Sequence, residues 1–274
     1  MTQLKNFMNK TLIIGAGETG QALGRVLSSF YQVEYVDSLK GLNAEGEFEV
    51  INICYPPDKN FINNTKAYIK RFKPKLTIIH SSVPVGTTRQ LGKGVVNSPI
   101  NGQHANMAEE LKIYPKFIGV ADVYDEFLAT RYLKNAGFNT ITLSSPEATE
   151  LAKLMCTSYY GWNLIYSKEM IEESKKYNVP FHEVYTVWNQ VINKGFEKLG
   201  KFNHIRPIYE PVEGEIGGHC VVNNAYLLDN FITRTIKGRN EIYKLNKEEK
   251  DENRTGDKNL ASRKIRNSKL RNRE

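Results

Sequence analysis

Residues 15–20 read Gly15-Ala16-Gly17-Glu18-Thr19-Gly20, directly after the apolar run Thr11 to Ile14 and directly before a helical pattern through Leu27. No other feature of the chain so restricts its fold. The first glycine permits a tight turn, the second lets a ligand approach the backbone, and the third lets helix and strand pack closely. The next strand candidate, Val33 to Val36, ends at an acid, Asp37. A helix that opens on glycines offers free N–H groups and a positive dipole end to a diphosphate. Asp37 is placed to accept hydrogen bonds from a ribose and to repel a 2′-phosphate, which favours NAD over NADP. Gly15, Gly17, Glu18, Thr19, Gly20 and Asp37 are therefore the expected cofactor-binding residues. The plain alternative is a glycine-rich turn without a ligand.

Further short β-rich runs follow at Val50 to Cys54, Leu76 to His80, Val95 to Val96, Phe117 to Val120 and Thr140 to Leu143. Helical stretches such as Asn60 to Phe72 and Tyr124 to Ala136 lie between them. That alternation predicts an α/β fold, a Rossmann-type doubly wound parallel sheet with helices on both faces, over residues 1–145. After Ser144 the pattern changes. Ser145-Pro146-Glu147 is a plausible cap, and only Gly161 interrupts helix formers from there to Tyr177. A helix of about 30 residues spans roughly 45 Å, long enough to be the spine of an all-α second domain (146–236) and the interface of a homodimer. Another helix is expected from Phe181 to Leu199, ended by Gly200.

The chain has 274 residues and a net charge of +8, but the charge is unevenly placed. Residues 237–274 hold thirteen Lys or Arg against seven Asp or Glu, which is +6 of the +8. With few large apolar residues, this segment is expected to be a disordered basic tail. Tyr243 is the one aromatic among its charges, too few for base stacking, so a solvated tail is favoured over nucleic-acid binding. No run of eighteen apolar residues exists and the N-terminus lacks the apolar core of a signal peptide, so no membrane partner is expected. Three cysteines without CxxC spacing argue against disulfides and zinc, and for a reducing, cytoplasmic setting.

One of those cysteines carries chemistry. Residues 214–228 read GEIGGHCVVNNAYLL, with Cys220 behind two glycines and a histidine. A thiolate and a hydride acceptor on one chain suggest covalent aldehyde oxidation: addition to a carbonyl, hydride loss, and a thioester for water to cleave. An inert cysteine in a glycine-rich loop is the bland reading. Cys54 and Cys156 fit core positions, Trp162 and Trp188 fit packing anchors, and His80 and His104 fit either ligand contacts or structural roles.

Several separated segments together resemble the UDP-glucose/GDP-mannose dehydrogenase family. Ser81-Ser82-Val83-Pro84-Val85-Gly86-Thr87-Thr88 is similar to its STVPVGTT loop, and Asn97-Ser98-Pro99 to its SPE segment. Glu109-Glu110-Leu111 and Pro115-Lys116-Phe117-Ile118-Gly119 resemble the run that follows. Glu150-Leu151-Ala152-Lys153-Leu154, with Asn163 and Glu169, resembles its long central helix. Gly217-Gly218-His219-Cys220 matches its GGHC element. The resemblance runs in order from about Thr11 to Leu228. It lacks the family's C-terminal domain, which grips the nucleotide of the substrate.

The resemblance implies a small-molecule substrate, a nucleotide sugar, whose primary alcohol is oxidised to a carboxylate with two NAD per turnover. It implies Cys220 as nucleophile and Lys153 as the group that stabilises an alkoxide or oxyanion. Thr157, one turn on, stands where the family has an asparagine. Ser82 stands where a threonine helps position water, and it also lies on the cofactor side. Asn224 stands where the family has an aspartate, and Ile100 where it has a glutamate. An isoleucine moves no proton, and an amide is no base near neutral pH. His219 either favours the thiolate by its charge or points elsewhere.

Three functions stay open: the four-electron dehydrogenase, a two-electron enzyme like the hydroxyisobutyrate dehydrogenases, and a non-catalytic NAD-binding remnant or module of a larger assembly.

Overall fold

The computed structural model of the chain describes residues 9–102, 106–210, 214–217 and 219–248. It divides into two compact units, Met1–Met155 and Cys156–Glu274, ten residues later than the break in sequence pattern suggests.

The first unit is built on seven strands: β1 (Lys10–Ile14), β2 (Gln32–Val36), β3 (Val50–Ile53), β4 (Leu76–Ile79), β5 (Val95–Asn97), β6 (Lys116–Gly119) and β7 (Thr140–Leu143). Five helices follow strands in turn: α1 (Glu18–Leu27), α2 (Phe61–Phe72), α3 (Thr87–Leu91), α4 (Met107–Ile113) and α5 (Val123–Asn135). The sheet order is β2-β1-β3-β4-β5-β6-β7. Strand direction and helix placement follow the expected doubly wound plan with one exception. β6 runs antiparallel to β5, touching it at Asn97 and Gly119, while every other neighbouring pair is parallel. The reversal brings Lys116, the first residue of β6, beside the carboxyl end of β5.

Alternation along the strands fills two cores. Leu12, Ile14, Ile51, Ile53, Ile79 and Val95 face α2 and α3 through Phe61, Phe72 and Leu91. Ile13, Val50, Ile78, Val96 and Ile118 face α1, α4 and α5 through Leu23, Leu27, Leu111, Leu128 and Leu133. Strands buried on both faces read as continuous apolar runs, which is why their positions were legible.

The second unit holds most of α6 (Pro146–Lys176), a π-helical turn over His182–Val187, α7 (Trp188–Lys198) and the short α8 (His219–Ala225). Another helix, α9, runs over 231–248. Its core is Ile165, Ile216, Val221, Ala225 and Ile236. A Cβ on Gly161 would lie 2.6 Å from the Val221 side chain, so α8 can approach α6 only because residue 161 has none.

Three expectations need correction. Residues 237–248, assigned to a disordered tail, are helical: Asn240 accepts from the Ile216 N–H at 2.7 Å, Arg239 pairs with Glu169, and Tyr243 donates to Glu169 at 2.7 Å. The remainder of the expected tail, 249–274, lies outside the described residues. Cys156 is exposed rather than core. Trp188 is 66% exposed and anchors no core. No described helix is long and apolar enough to cross a membrane.

Candidate functional site

The sheet reverses its winding between β1 and β3, and the carboxyl ends of strands at such a switch point form a crevice that suits a ligand. Here the crevice begins with the glycine loop. Gly15 has φ +97°, and a Cβ there would lie 2.7 Å from the Tyr55 nitrogen beyond β3. At Gly20 a Cβ would fall 1.9 Å from the Gly15 carbonyl oxygen, so α1 sits on the loop only with glycine at that position. Gly17 differs from both. A Cβ there meets nothing within 4 Å, and the residue is exposed at the N-cap of α1. The space a side chain would take at Gly17 is open to a ligand, as close approach of a diphosphate to the backbone requires.

Glu18 is exposed and Thr19 half-buried in the first turn of α1. The Asp37 carboxylate accepts from the Ala16 N–H at 2.7 Å and from the Leu39 and Lys40 N–H groups at 3.0 and 3.3 Å. It is thereby held against the middle of the glycine loop. A carboxylate has about four acceptor positions, so ribose hydroxyls still find one. The residues fit the dinucleotide that the sequence pattern implies.

The loop after β4 is pinned from α6. Glu150 is buried and accepts from the Gly86 N–H at 2.6 Å, the Thr88 N–H at 2.8 Å and the Thr88 hydroxyl at 2.6 Å. Burial raises the Glu150 pKa, against the lowering by these donors. Ser82 lies half-buried in that loop. Lys153, one turn beyond Glu150, donates to the Ile100 carbonyl at 2.7 Å. Ile100 itself is buried in the apolar core with Met107 and Leu111. The position where the resembled family has a glutamate is a packing position here.

In the second unit the amide of Asn224 donates to the Thr157 hydroxyl at 3.2 Å. Asn224 is buried in the last turn of α8, and Cys220, one turn earlier, is exposed. Gly218 and the His219 side chain lie outside the described residues, as does His104. Of the expected residues, the structure brings together Gly15, Gly17, Glu18, Thr19, Gly20 and Asp37 in one unit, with Ser82 and Lys153 on its strand-end loops and α6. It brings together Thr157, Asn224 and Cys220 in the other.

Sequence reasoning passed over Lys116, which is fully buried with its pKa lowered to about 7, chiefly by desolvation. A lysine opening an otherwise apolar strand was the available signal. His80 is structural. It is buried, with Nε2 2.9 Å from Asn52 Oδ1, and burial and Lys116 hold its pKa well below the ordinary value.

A Rossmann-type dinucleotide fold followed by a helical unit is the class that these features define. No protein-family model and no curated protein sequence matches the chain. Solved structures do match its fold. UDP-D-ManNAc dehydrogenase from Pyrococcus horikoshii is similar over 85% of this chain and 68% of its own, with TM-score 0.68 and 18% identity. UDP-glucose dehydrogenase from Pyrobaculum islandicum is similar over 86% and 68%, with TM-score 0.63 and 16% identity. The 3-hydroxyisobutyrate dehydrogenase of Mycobacterium tuberculosis is similar over 84% and 92%, with TM-score 0.63 and 13% identity.

Proposed function

We propose that the chain is an NAD-dependent dehydrogenase that oxidises the primary alcohol of a small molecule, a nucleotide sugar, to the acid through a covalent intermediate on Cys220. The observation that carries this reading is the exposed Cys220 thiol one turn from the Asn224–Thr157 pair, on a chain whose glycine loop leaves Gly17 open. The nucleotide-sugar dehydrogenases among its structural neighbours support the substrate class.

Bound NAD supplies the hydride acceptor, once for the alcohol carbon and once for the thiohemiacetal. The Cys220 sulfur adds to the aldehyde carbon. Hydride loss leaves a thioester, and water cleaves it to the acid and the free thiol. Lys153 offers an ammonium to the oxygen that is negatively charged once the alcohol is deprotonated and again when sulfur or water adds to the carbonyl, and the protons released pass to solvent. Thr157 and Asn224 can orient water by hydrogen bonds, but neither takes its proton near neutral pH. Thioester hydrolysis is therefore the slow step.

A non-catalytic NAD-binding remnant is the second reading, and one observation favours it: Ile100 is packed in the core where a proton-transfer group would stand. The two-electron alternative has its support in the length match to 3-hydroxyisobutyrate dehydrogenase.

Calorimetric titration with NAD and NADP, followed by a screen of UDP- and GDP-sugars and small hydroxy acids for NADH, separates the three. The four-electron enzyme yields two NADH per substrate, the two-electron enzyme one, and the remnant none. Assembly belongs to the same proposal. Tyr159 and Tyr166 stand 62% and 55% exposed on α6, and a homodimer through this helix covers them.

A further inference from the structure

The sheet face that carries Ile13, Val50, Ile78 and Ile118 also carries a row of polar side chains two residues away from them. Thr11 lies on β1, Asn52 on β3, His80 just past β4 and Lys116 at the start of β6, with Tyr132 of α5 above. All five are buried. Asn52 Nδ2 donates to Thr11 Oγ1 at 2.8 Å, to the Tyr132 hydroxyl at 3.1 Å and to the Leu12 carbonyl at 3.3 Å. The carbonyl contact orients the amide, so Oδ1 faces His80 Nε2 at 2.9 Å. His80 Nδ1 lies 3.0 Å from the Ser98 carbonyl oxygen and 3.3 Å from Lys116 Nζ.

Lys116 ends the row on the backbone. Its ammonium donates to the Ser98 carbonyl at 2.6 Å and the Pro99 carbonyl at 3.0 Å. The next carbonyl, that of Ile100, accepts from Lys153 Nζ at 2.7 Å, and Asn101 Oδ1 lies 3.4 Å from the same nitrogen. Three successive carbonyls thus hold two ammonium groups, and the Lys153 charge adds to burial in lowering the Lys116 pKa. Burying an ammonium without a carboxylate is costly. An apolar side chain of similar length would fill the same space without that cost, so packing alone does not explain a lysine at position 116.

We propose that Lys116 is a positioning residue that sets the Ser98–Asn101 loop and, through the Ile100 carbonyl, the placement of Lys153. This rests on the reading of Lys153 as the group facing the reacting oxygen. The titratable groups around it are His80, Cys54 at the end of β3, Tyr132 on α5 and Lys153 on α6.

The test is a pH titration of the full chain labelled with 13C-lysine, assigned with Lys116→Met and Lys153→Met. The Lys116 signal should titrate near neutrality and move to higher pH in Lys153→Met. By reciprocity the Lys153 signal should move to higher pH in Lys116→Met by a similar interval. Neither measurement needs turnover, so it holds whether or not the enzymatic reading survives. If Lys116→Met does not fold, the Lys116 signal in Lys153→Met decides alone. With a substrate that yields NADH, Lys116→Met should lose at least tenfold in kcat with KM and NAD affinity within twofold, and Lys116→Arg should recover part of it. Titrations that ignore each other, or a Lys116→Met variant with unaltered kcat and pH profile, overturn the proposal.

Discussion

The Asn224 amide donates to the Thr157 hydroxyl across 3.2 Å. The pair couples α8 to α6 as a hydrogen-bonded unit, yet it holds no group that takes a proton near neutral pH. If the thiol of Cys220 reacts, this pair can orient the water that cleaves its thioester but cannot take that water's proton.

Gly17 and Gly20 should respond differently to alanine. Gly17→Ala adds a methyl to open space and should leave the melting temperature within about 2 °C, while NAD affinity falls more than tenfold. Gly20→Ala drives a methyl into the Gly15 carbonyl and should cost about 2 kcal/mol or more of stability, as overpacking does. Thermal melts beside calorimetric NAD titrations check both. Equal NAD binding by Gly17→Ala and wild type would remove the loop from the cofactor site.

Asp37 should set cofactor choice. NAD should bind at least tenfold better than NADP, and Asp37→Ala should narrow the ratio. It should also weaken NAD itself, because the Ala16 N–H loses its acceptor. Losing a hydrogen bond to a charged acceptor costs about 1.5–3 kcal/mol of stability. Equal affinities of the wild type for the two cofactors would contradict the assignment.

Lys116 should make stability depend on pH. Its folded pKa is lowered to about 7 from an ordinary 10.5, so the folded state sheds its proton first. The cost of burying the charge is complete below about pH 7 and is relieved as pH rises above it. The Cys54 thiol, pushed up to about 12 by burial, acts in the opposite direction above about pH 9. Denaturant melts should therefore show stability rising from pH 7 to 9, and Lys116→Met should flatten that rise. A slope retained in the variant would assign it to another group.

The long helix should carry the dimer. Sedimentation velocity at micromolar concentration should show a dimer, and Tyr159→Glu, at a 62% exposed position on α6, should shift it toward monomer. A wild type that sediments only as monomer would refute this interface.

Much of the first unit was legible because its strands are short apolar runs between helical patterns, and the glycine spacing fixed where the first turn lies. The antiparallel β6 was not, since one bridge at Asn97 and Gly119 leaves no local mark. The Lys116–His80–Asn52–Tyr132 row also escaped: its members are far apart in sequence, and each alone looks like an isolated polar residue in or beside the core. Charge count hid α9. Lys237, Arg239, Lys244 and Lys247 suggested a solvated tail, while Thr233, Ile236 and Asn240 recur at helical spacing and are buried. Trp188 and Cys156 show the converse, because periodicity gives a face but not whether anything covers it.

The most direct test of the covalent dehydrogenase reading is intact-mass spectrometry of the protein incubated with NAD and a panel of UDP- and GDP-sugars, read beside NADH absorbance. Wild type should form NADH and gain the mass of an acyl group on Cys220, because hydrolysis lags. Cys220→Ser should bind NAD normally, gain no mass and release no acid. A wild type that binds NAD yet gives neither NADH nor an adduct with any sugar nucleotide would contradict the reading and leave an NAD-binding protein without this chemistry.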